Sequence, residues 1–216
     1  MMTMAMNSLS DALNAWFYRQ MALWAGLLRR RELELEYWER ACALRPRDTG
    51  ALAAVATRRA ARGDRQGAIA AVERSLEIDP AVAYTWFNLG FLKQELDDHD
   101  GALDAFDRAL ALDAKLDRAW YGKALSLIKR DQIDEGVAAL KKVIELQPFS
   151  PYGYYQLAHA YRRLGQTDRI VSTIRRLAKF EPKIALQLER ETGVDAGTED
   201  PYQPGSRRRR PGDSDS

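Results

Sequence analysis

Residues 83–115 read AYTWFNLGFLKQELDDHDGALDAFDRALALDAK, and this stretch contains two helical patterns separated by a polar break. In the first pattern Trp86, Leu89 and Gly90 fall at i, i+3 and i+4, which places them on one face of a helix. The second pattern has apolar residues at the same kind of spacing: Ala102, Phe106, Ala109 and Leu110. The break, residues 97–100, carries side chains suited to capping a helix. The stretch therefore predicts two helices joined by a short turn.

The same arrangement recurs along the chain with a period of 34 residues. Prolines mark the period: Pro46, Pro80, Pro148 and Pro182, with Ala114 at the position that the series skips. Trp86, Trp120 and Tyr154 follow the same spacing. Because proline cannot continue a helix, each repeat is expected to end there. The predicted organisation is a lead-in at 1–14, a solenoid at 15–192 with repeats at about 15–48, 49–82, 83–116, 117–150 and 151–184, a capping helix at 183–192, and a disordered tail at 193–216.

These residues resemble the tetratricopeptide repeat, whose pattern has Trp, Leu-Gly, Ala, Phe, Ala and a closing Pro. The third repeat matches it at six positions: Trp86, Leu89, Gly90, Ala102, Phe106 and Ala109. In the first repeat Glu34 stands where a small residue is expected, so this repeat is either a divergent cap or packs differently. The resemblance covers about 170 of the 216 residues. It implies an all-α, right-handed α-solenoid of about five helix pairs plus a C-terminal capping helix, and a scaffold that binds other proteins.

Composition excludes several classes of protein. The chain has 46% hydrophobic and 30% charged residues and a net charge of +2, which is typical of a globular protein. One cysteine and two histidines cannot form an internal disulfide or a Cys/His zinc site. Neither a phosphate-binding glycine loop nor a nucleophile motif is present. The sequence therefore predicts a cytoplasmic, non-catalytic protein with no cofactor and no small-molecule substrate, and its excess of Arg over Lys indicates a bacterial source.

An acidic cluster, one histidine and the single cysteine could suggest metal binding or catalysis, but each also has a structural explanation. Four acidic residues cluster around the turn of the third repeat: Asp97, Asp98, Asp100 and Asp104. They lack the spacing and the closing Glu of a calcium loop, so a solvated turn with helix-capping charges is favoured. His159 has no catalytic partner near it in the sequence, and Cys42 between Ala41 and Ala43 is expected to be a small core residue.

A second face of the first helix in each repeat is offset by one position from the packed face, and it is the predicted partner-binding groove. Its residues are Tyr84, Phe87, Asn88 and Phe91 in the third repeat, Arg118, Tyr121 and Leu125 in the fourth, and Tyr152, Tyr155, His159 and Arg162 in the fifth. The family resemblance implies that these positions line the concave groove, where an extended or helical peptide segment binds. Aromatic residues and Arg also dominate binding hot spots. The alternative is that these aromatics pack against the next helix or the capping helix.

Two features bear on the kind of partner. One subclass of the family holds a terminal carboxylate with Lys and Asn at set groove positions; Asn88 and Arg118 fit two of them, whereas Ala53 and Thr57 do not fit the others. Charge is also uneven, because residues 83–116 have three basic and seven acidic residues, a balance of −4, and residues 151–192 have a balance of +4. This asymmetry would suit a peptide of mixed charge, or it reflects ordinary solvated helix faces.

The N-terminal segment supports an alternative function. Between Ala12 and Leu28 the only charged residue is Arg19, and Arg29–Arg31 follow directly. This run is too short and too interrupted for a preferred membrane span, but Trp16, Phe17 and Trp24 could anchor a helix that lies in the membrane interface. The alternative is therefore a peripheral membrane-surface assembly factor. Arg207–Arg210 in the tail form only a weak basic patch, so nucleic acid is disfavoured as a partner.

Overall fold

A computed structural model describes the chain from Met2 to Glu199, with side chains from Ser10 onward, and within this range the chain forms eleven α-helices and no strand. The chain divides into two compact units, the first ending at Ala114 and the second beginning at Lys115. Unit 1 contains α1 (Met2–Leu27), α2 (Arg31–Leu44), α3 (Thr49–Arg62), α4 (Arg65–Ile78), α5 (Ala83–Gln94) and α6 (His99–Leu112). Unit 2 contains α7 (Asp117–Lys129), α8 (Ile133–Leu146), α9 (Pro151–Arg163), α10 (Thr167–Ala178) and α11 (Pro182–Thr192). Both units have the helix-pair construction of α-solenoid proteins.

The helices follow the 34-residue period throughout. The second helices of successive pairs begin 34 residues apart, at Arg31, Arg65, His99, Ile133 and Thr167. The first pair keeps this register. Arg29 and Gly63 are 34 residues apart, and the preceding helices α1 and α3 end within two residues of them. What differs is the start of α1, which extends back to Met2, so the expected lead-in is continuous with the first helix. The first repeat is therefore a helix pair of the same register with a longer first helix.

The turn between the helices of each pair has one residue in the left-handed conformation. It occupies the same repeat position every time: Arg29 (φ 57°), Gly63 (φ 91°), Asp97 (φ 58°), Asp131 (φ 64°) and Gly165 (φ 67°). Glycine adopts this conformation without cost, and Asp tolerates it, whereas a long side chain such as that of Arg29 is disfavoured there. Asp64 and Asp98 then cap α4 and α6 by accepting hydrogen bonds from backbone N–H groups three residues on.

In the first repeat the buried Glu34 packs in place of a small residue. Its carboxylate accepts from Arg58 Nε at 2.9 Å, so the charge is paired with the neighbouring repeat. Gly26 provides the space, because a Cβ atom there would lie 2.9 Å from Glu34 Oε1. Arg19 adds a second link, as its guanidinium contacts the Asp48 carboxylate at 2.6 Å. The departure from the repeat pattern is thus accommodated by packing specific to α1, α2 and α3.

Gly90 is required where α5 crosses α6. A Cβ atom on Gly90 would lie 2.7 Å from the Phe106 ring, which is fully buried in unit 1. The other repeats have Ala at this position, and the second, fourth and fifth have a smaller aliphatic residue opposite, as with Ala158 and Ile174 in unit 2. One side-chain hydrogen bond recurs near the start of α5 and of α9. Trp86 Nε1 donates to the Pro80 carbonyl at 2.9 Å, and Tyr154 Oη donates to the Pro148 carbonyl at 3.0 Å.

At the C-terminal side of unit 2, α11 packs on α9 and α10 and buries Ala185 and Leu188 completely. The expectation of disorder from residue 193 is wrong for residues 193–199. Buried Glu189 accepts hydrogen bonds from the backbone N–H groups of Ala196 and Thr198 at 3.0 and 2.9 Å, and Ala196 is 3% exposed. A buried carboxylate requires such donors, and they hold the segment against the helix. The rest of the predicted tail, with Arg207–Arg210, lies outside the described residues.

Candidate protein-binding surfaces

Three aromatic side chains form a row along α5 in unit 1. Tyr84, Phe87 and Phe91 lie at i, i+3 and i+7, with ring centroids 5.4 Å apart for the first two and 6.5 Å apart for the last two. Phe87 also contacts the core, since its centroid is 6.2 Å from that of buried Phe106. Tyr84 and Phe91 are 49% and 47% exposed. We call these three residues the α5 aromatic row. The row contacts the core through Phe87 and exposes ring surface to solvent at Tyr84 and Phe91.

Small residues and a side-chain amide occupy positions related to the α5 aromatic row. The positions one repeat earlier, on α3, hold the small and exposed residues Gly50, Ala53 and Thr57. Asn88 follows Phe87 on α5 and is half buried, and its amide forms no hydrogen bond within the described part of the chain. A side-chain amide beside exposed rings can hold the backbone of a bound peptide, because it both donates and accepts hydrogen bonds.

The predicted groove residues of α7 and α9 lie in unit 2. Arg118 and Tyr152 are exposed, the latter by 69%, and Tyr121 and Leu125 are half buried. Tyr121 Oη accepts a hydrogen bond of 3.4 Å from Gln156 Nε2, which joins the two helices. This contact links one predicted residue of α7 to α9, but through Gln156, which is not among the predicted groove residues.

The remaining three predicted residues, all on α9, are engaged by Glu191 of α11. Tyr155 Oη donates to Glu191 Oε2 at 2.7 Å, and His159 Nε2 lies 3.0 Å from the same oxygen. Arg162 Nη1 donates to the Glu191 backbone carbonyl at 2.6 Å. The capping helix thus occupies this part of the predicted groove, which is the packing alternative that the sequence left open.

The shared hydrogen bond moves the pKa values of both partners. The Tyr155 hydroxyl donates to the Glu191 carboxylate, and this raises the pKa of Tyr155, with partial desolvation adding to the effect. The same bond lowers the pKa of Glu191, helped by Gln187, which donates to its other oxygen at 2.7 Å. The arrangement favours an ionised carboxylate at neutral pH. Chemically, Tyr155, His159 and Arg162 form a site that receives a carboxylate and a carbonyl oxygen.

Sequence reasoning missed two residues that contact the candidate surfaces, Glu191 and Phe106. Phe106 appeared only as a core residue, although the 34-residue register already placed it beneath the α5 helix. Glu191 lies on the polar side of an amphipathic helix, where the pattern gives no sign of a specific partner. The only available signal was that solenoid ends need a cover, which pointed to α11 but not to the residue that it uses.

The described part of the chain offers no candidate metal site. No group of three or more His, Cys, Asp or Glu side chains there is placed to hold a metal ion. Cys42 is buried in the core of unit 1, and burial raises its pKa to about 11, so the thiolate needed for nucleophilic chemistry is scarce at neutral pH. None of the helices in this range has the length and hydropathy of a membrane crossing.

Comparisons with known proteins agree with these repeats. Family models of the tetratricopeptide repeat match residues 83–116, 117–150 and 139–171. No curated protein matches the sequence. Among solved structures, the crystal structure of the MamA protein is similar with a TM-score of 0.73 and 19% identity, over 83% of this chain and 94% of that one.

Two further solved structures show the same fold. One is YrrB, described as a TPR protein with an unusual peptide-binding site, with a TM-score of 0.69 and 17% identity over 80% of this chain and 90% of that one. The other is PilF of Pseudomonas aeruginosa, with a TM-score of 0.69 and 15% identity over 85% of each chain. Repeats of this kind serve as protein–protein interaction scaffolds. Residues 83–171 therefore match the tetratricopeptide repeat directly, and the chain has the fold of tetratricopeptide-repeat proteins.

Proposed function

We propose that this chain is a non-catalytic, cytoplasmic scaffold that binds an extended or helical segment of a partner protein at the α5 aromatic row. The observation that carries the proposal is the exposure of Phe91 and Tyr84 beside the rigid, half-buried Phe87. Large aromatic side chains that are already ordered lose little entropy on binding and form the centre of many interfaces. YrrB, which shares this fold, is itself described as peptide-binding.

The chemistry of the row defines the partner segment. An apolar side chain would bury itself against Phe87 and Phe91, and Asn88 would hold the segment's backbone. Residues 83–116 have a net charge of −4, so basic residues flanking the apolar anchor are favoured. On unit 2, we propose Arg118, Tyr121, Leu125 and Tyr152 as the corresponding contact residues. The site made by Tyr155, His159 and Arg162 would accept a partner carboxylate only in competition with Glu191.

The experiment starts with a photo-cross-linking amino acid at position 91 in the source cell, which identifies the partner segment that touches the row. The segment is then synthesised and titrated against the purified chain. Phe91→Ala is expected to weaken binding roughly 30-fold, which corresponds to about 2 kcal/mol for loss of one central aromatic contact. Phe91 is about half exposed, so the variant is expected to stay folded, and circular dichroism verifies this.

Phe149→Ala is the matched control, because Phe149 is also an exposed phenylalanine but lies in unit 2 outside the predicted surface. The control is expected to bind as the wild type does. Equal affinity of the Phe91→Ala variant and the wild type would show that the row is not the binding site. The same photo-cross-linking amino acid at position 152 tests unit 2. Cross-links that form from position 152 but not from position 91 would move the interface to unit 2.

A further inference from the structure

The first helix, α1, has two faces of different character. One face packs on α2, where Ala15, Ala22 and Ala25 are buried and Tyr18 stacks on Tyr37 with ring centroids 6.1 Å apart. The small residues of this face allow close approach of the two helices. This side of α1 therefore accounts for its place in unit 1, and the opposite side is available for another role.

The opposite side of α1 is apolar and exposed over four turns. We define it as the α1 apolar face, and its members, with their exposed fractions, are Leu13 (63%), Trp16 (61%), Phe17 (50%), Leu23 (57%), Trp24 (59%) and Leu27 (72%). The spacing of three and four residues aligns them along roughly 20 Å of helix. Monomeric proteins rarely leave so large a contiguous apolar surface in water, so this face is expected to be covered by a partner.

The charges around this face identify the partner's chemistry. No acidic residue lies between Ala12 and Arg31, and the face ends at three consecutive exposed arginines, Arg29–Arg31. Among the described residues none of these three guanidinium groups forms an ion pair. The nearest acidic residue on that side, Glu32, is paired with Arg62 at 3.1 Å. An apolar surface bordered by cations and free of anions along its length is complementary to an anionic lipid surface.

The left-handed backbone conformation of Arg29 also favours a role for these arginines in binding an anionic surface. Arg29 has φ 57° at the repeat position where Gly63 and Gly165 stand in other repeats. Glycine is the residue that fits this backbone conformation without strain, and a non-glycine outlier of this kind often marks a functional constraint. A positive charge therefore stands beside the α1 apolar face at the expense of local stability.

We propose that the α1 apolar face docks the protein onto the interfacial layer of a membrane that contains anionic phospholipids. Trp16 and Trp24 insert at the level of the headgroups with the leucines between and beside them, and Arg29–Arg31 contact the phosphates. Insertion of apolar side chains and contact of basic side chains with phosphates are each weak, but together they attach a protein to a membrane stably and reversibly. This inference goes beyond the proposed protein-binding function and is independent of it, since it involves none of the residues of the α5 aromatic row.

The test is co-sedimentation of the full chain with vesicles of phosphatidylglycerol and phosphatidylcholine, compared with vesicles of phosphatidylcholine alone. Stronger binding to the anionic vesicles is expected. The Arg29→Gln, Arg30→Gln, Arg31→Gln variant should lose roughly 100-fold in partition, from about fivefold for each charge. The Trp16→Gln, Trp24→Gln variant should lose at least about tenfold on both kinds of vesicle, because its apolar anchors are gone.

The control replaces an exposed aromatic residue of unit 2, as Phe149→Gln, and its partition should equal that of the wild type. Circular dichroism establishes that each variant keeps its helices. Absence of binding at low salt, or equal binding of the control and the Trp variant, would overturn the proposal. So would sedimentation equilibrium showing a dimer that the Trp variant abolishes and that persists in excess anionic vesicles, since a second copy would then cover the face.

Discussion

Helices α5 and α9 carry aromatic residues at the same repeat positions, yet their faces are in different states. On α5 the row of Tyr84, Phe87 and Phe91 remains about half exposed at both ends. On α9 the equivalent Tyr155 and His159 are held by Glu191 of α11. The difference shows that a repeat position defines which way a face points, whereas an element elsewhere in the chain decides whether it is available.

The two faces also differ in what supports them. The α5 row lies on the ring of Phe106, which fits only because Gly90 has no Cβ. Under α9 the corresponding pair is Ala158 with Ile174, both fully buried. The contact between Phe87 and Phe106 extends the row into the core of unit 1. The α9 face instead gains its order from the helix that covers it.

Removing the anchor of α11 would make the α9 face resemble the α5 face. Leu188→Ala deletes a fully buried side chain, and this is expected to destabilise the docking of α11 by about 2–4 kcal/mol. Segment-resolved hydrogen exchange checks the prediction, because the amides of residues 182–199 should lose protection while those of α3 keep it.

Arg190→Ala is the control for this change, since Arg190 is on the same helix but exposed. Its hydrogen exchange should match that of the wild type. Unchanged protection of residues 182–199 in the Leu188→Ala variant would mean that α11 is held mainly by its polar contacts with α9, and the comparison of the two faces would need another basis.

A second change tests the support of the α5 row. Gly90→Ala places a Cβ atom 2.7 Å from the Phe106 ring, and the expected net loss is about 1–2 kcal/mol, because helix propensity offsets part of the overpacking. The measurement is the shift of the urea unfolding midpoint. Adding Phe106→Leu copies the Ala and Leu pair of the fourth repeat, Ala124 and Leu140, and should recover part of the loss.

Coupling in this double-mutant cycle is the decisive quantity. If Gly90 and Phe106 act as a pair, the double variant will lose less stability than the sum of the losses in the two single variants. Strictly additive effects would contradict the pairing. The double variant also removes the ring beneath Phe87, so it tests whether binding at the row depends on this support as well as on exposure.

Much of the fold could be predicted because its determinants are local and periodic. The prolines recur at fixed spacing, Trp86 recurs as Trp120 and Asp98 as Asp64, and each specifies the end, the face or the cap of a helix by short-range physics. The same logic placed the aromatic row on one face of α5. Family models and solved structures then confirmed the repeat and the fold.

The parts that escaped prediction depend on contacts between distant residues. Glu191 reaches Tyr155 across 36 positions, and no sequence period relates them. Glu34 was noted as out of pattern, but its pairing with Arg58 follows from the packing of three helices together. Ala196 looked like part of a disordered tail because the signal that orders it is the buried carboxylate of Glu189. In each case a side-chain partner outside the local window determined the outcome.

The smallest expected effect concerns the charge of Glu191. Its pKa lies below the ordinary value of 4.5 in the folded chain, so the ionised carboxylate stabilises α11 at pH values above that figure. This contribution declines as the pH falls through the lowered pKa and the carboxylate is protonated. Glu191→Gln imitates the protonated form. Hydrogen exchange of residues 182–199 should therefore be faster in the variant than in the wild type at pH 6, and the two should converge as the pH falls below the lowered pKa of Glu191. A difference that is the same at both pH values would show that size or helix propensity, and not the carboxylate charge, holds α11 over the α9 face.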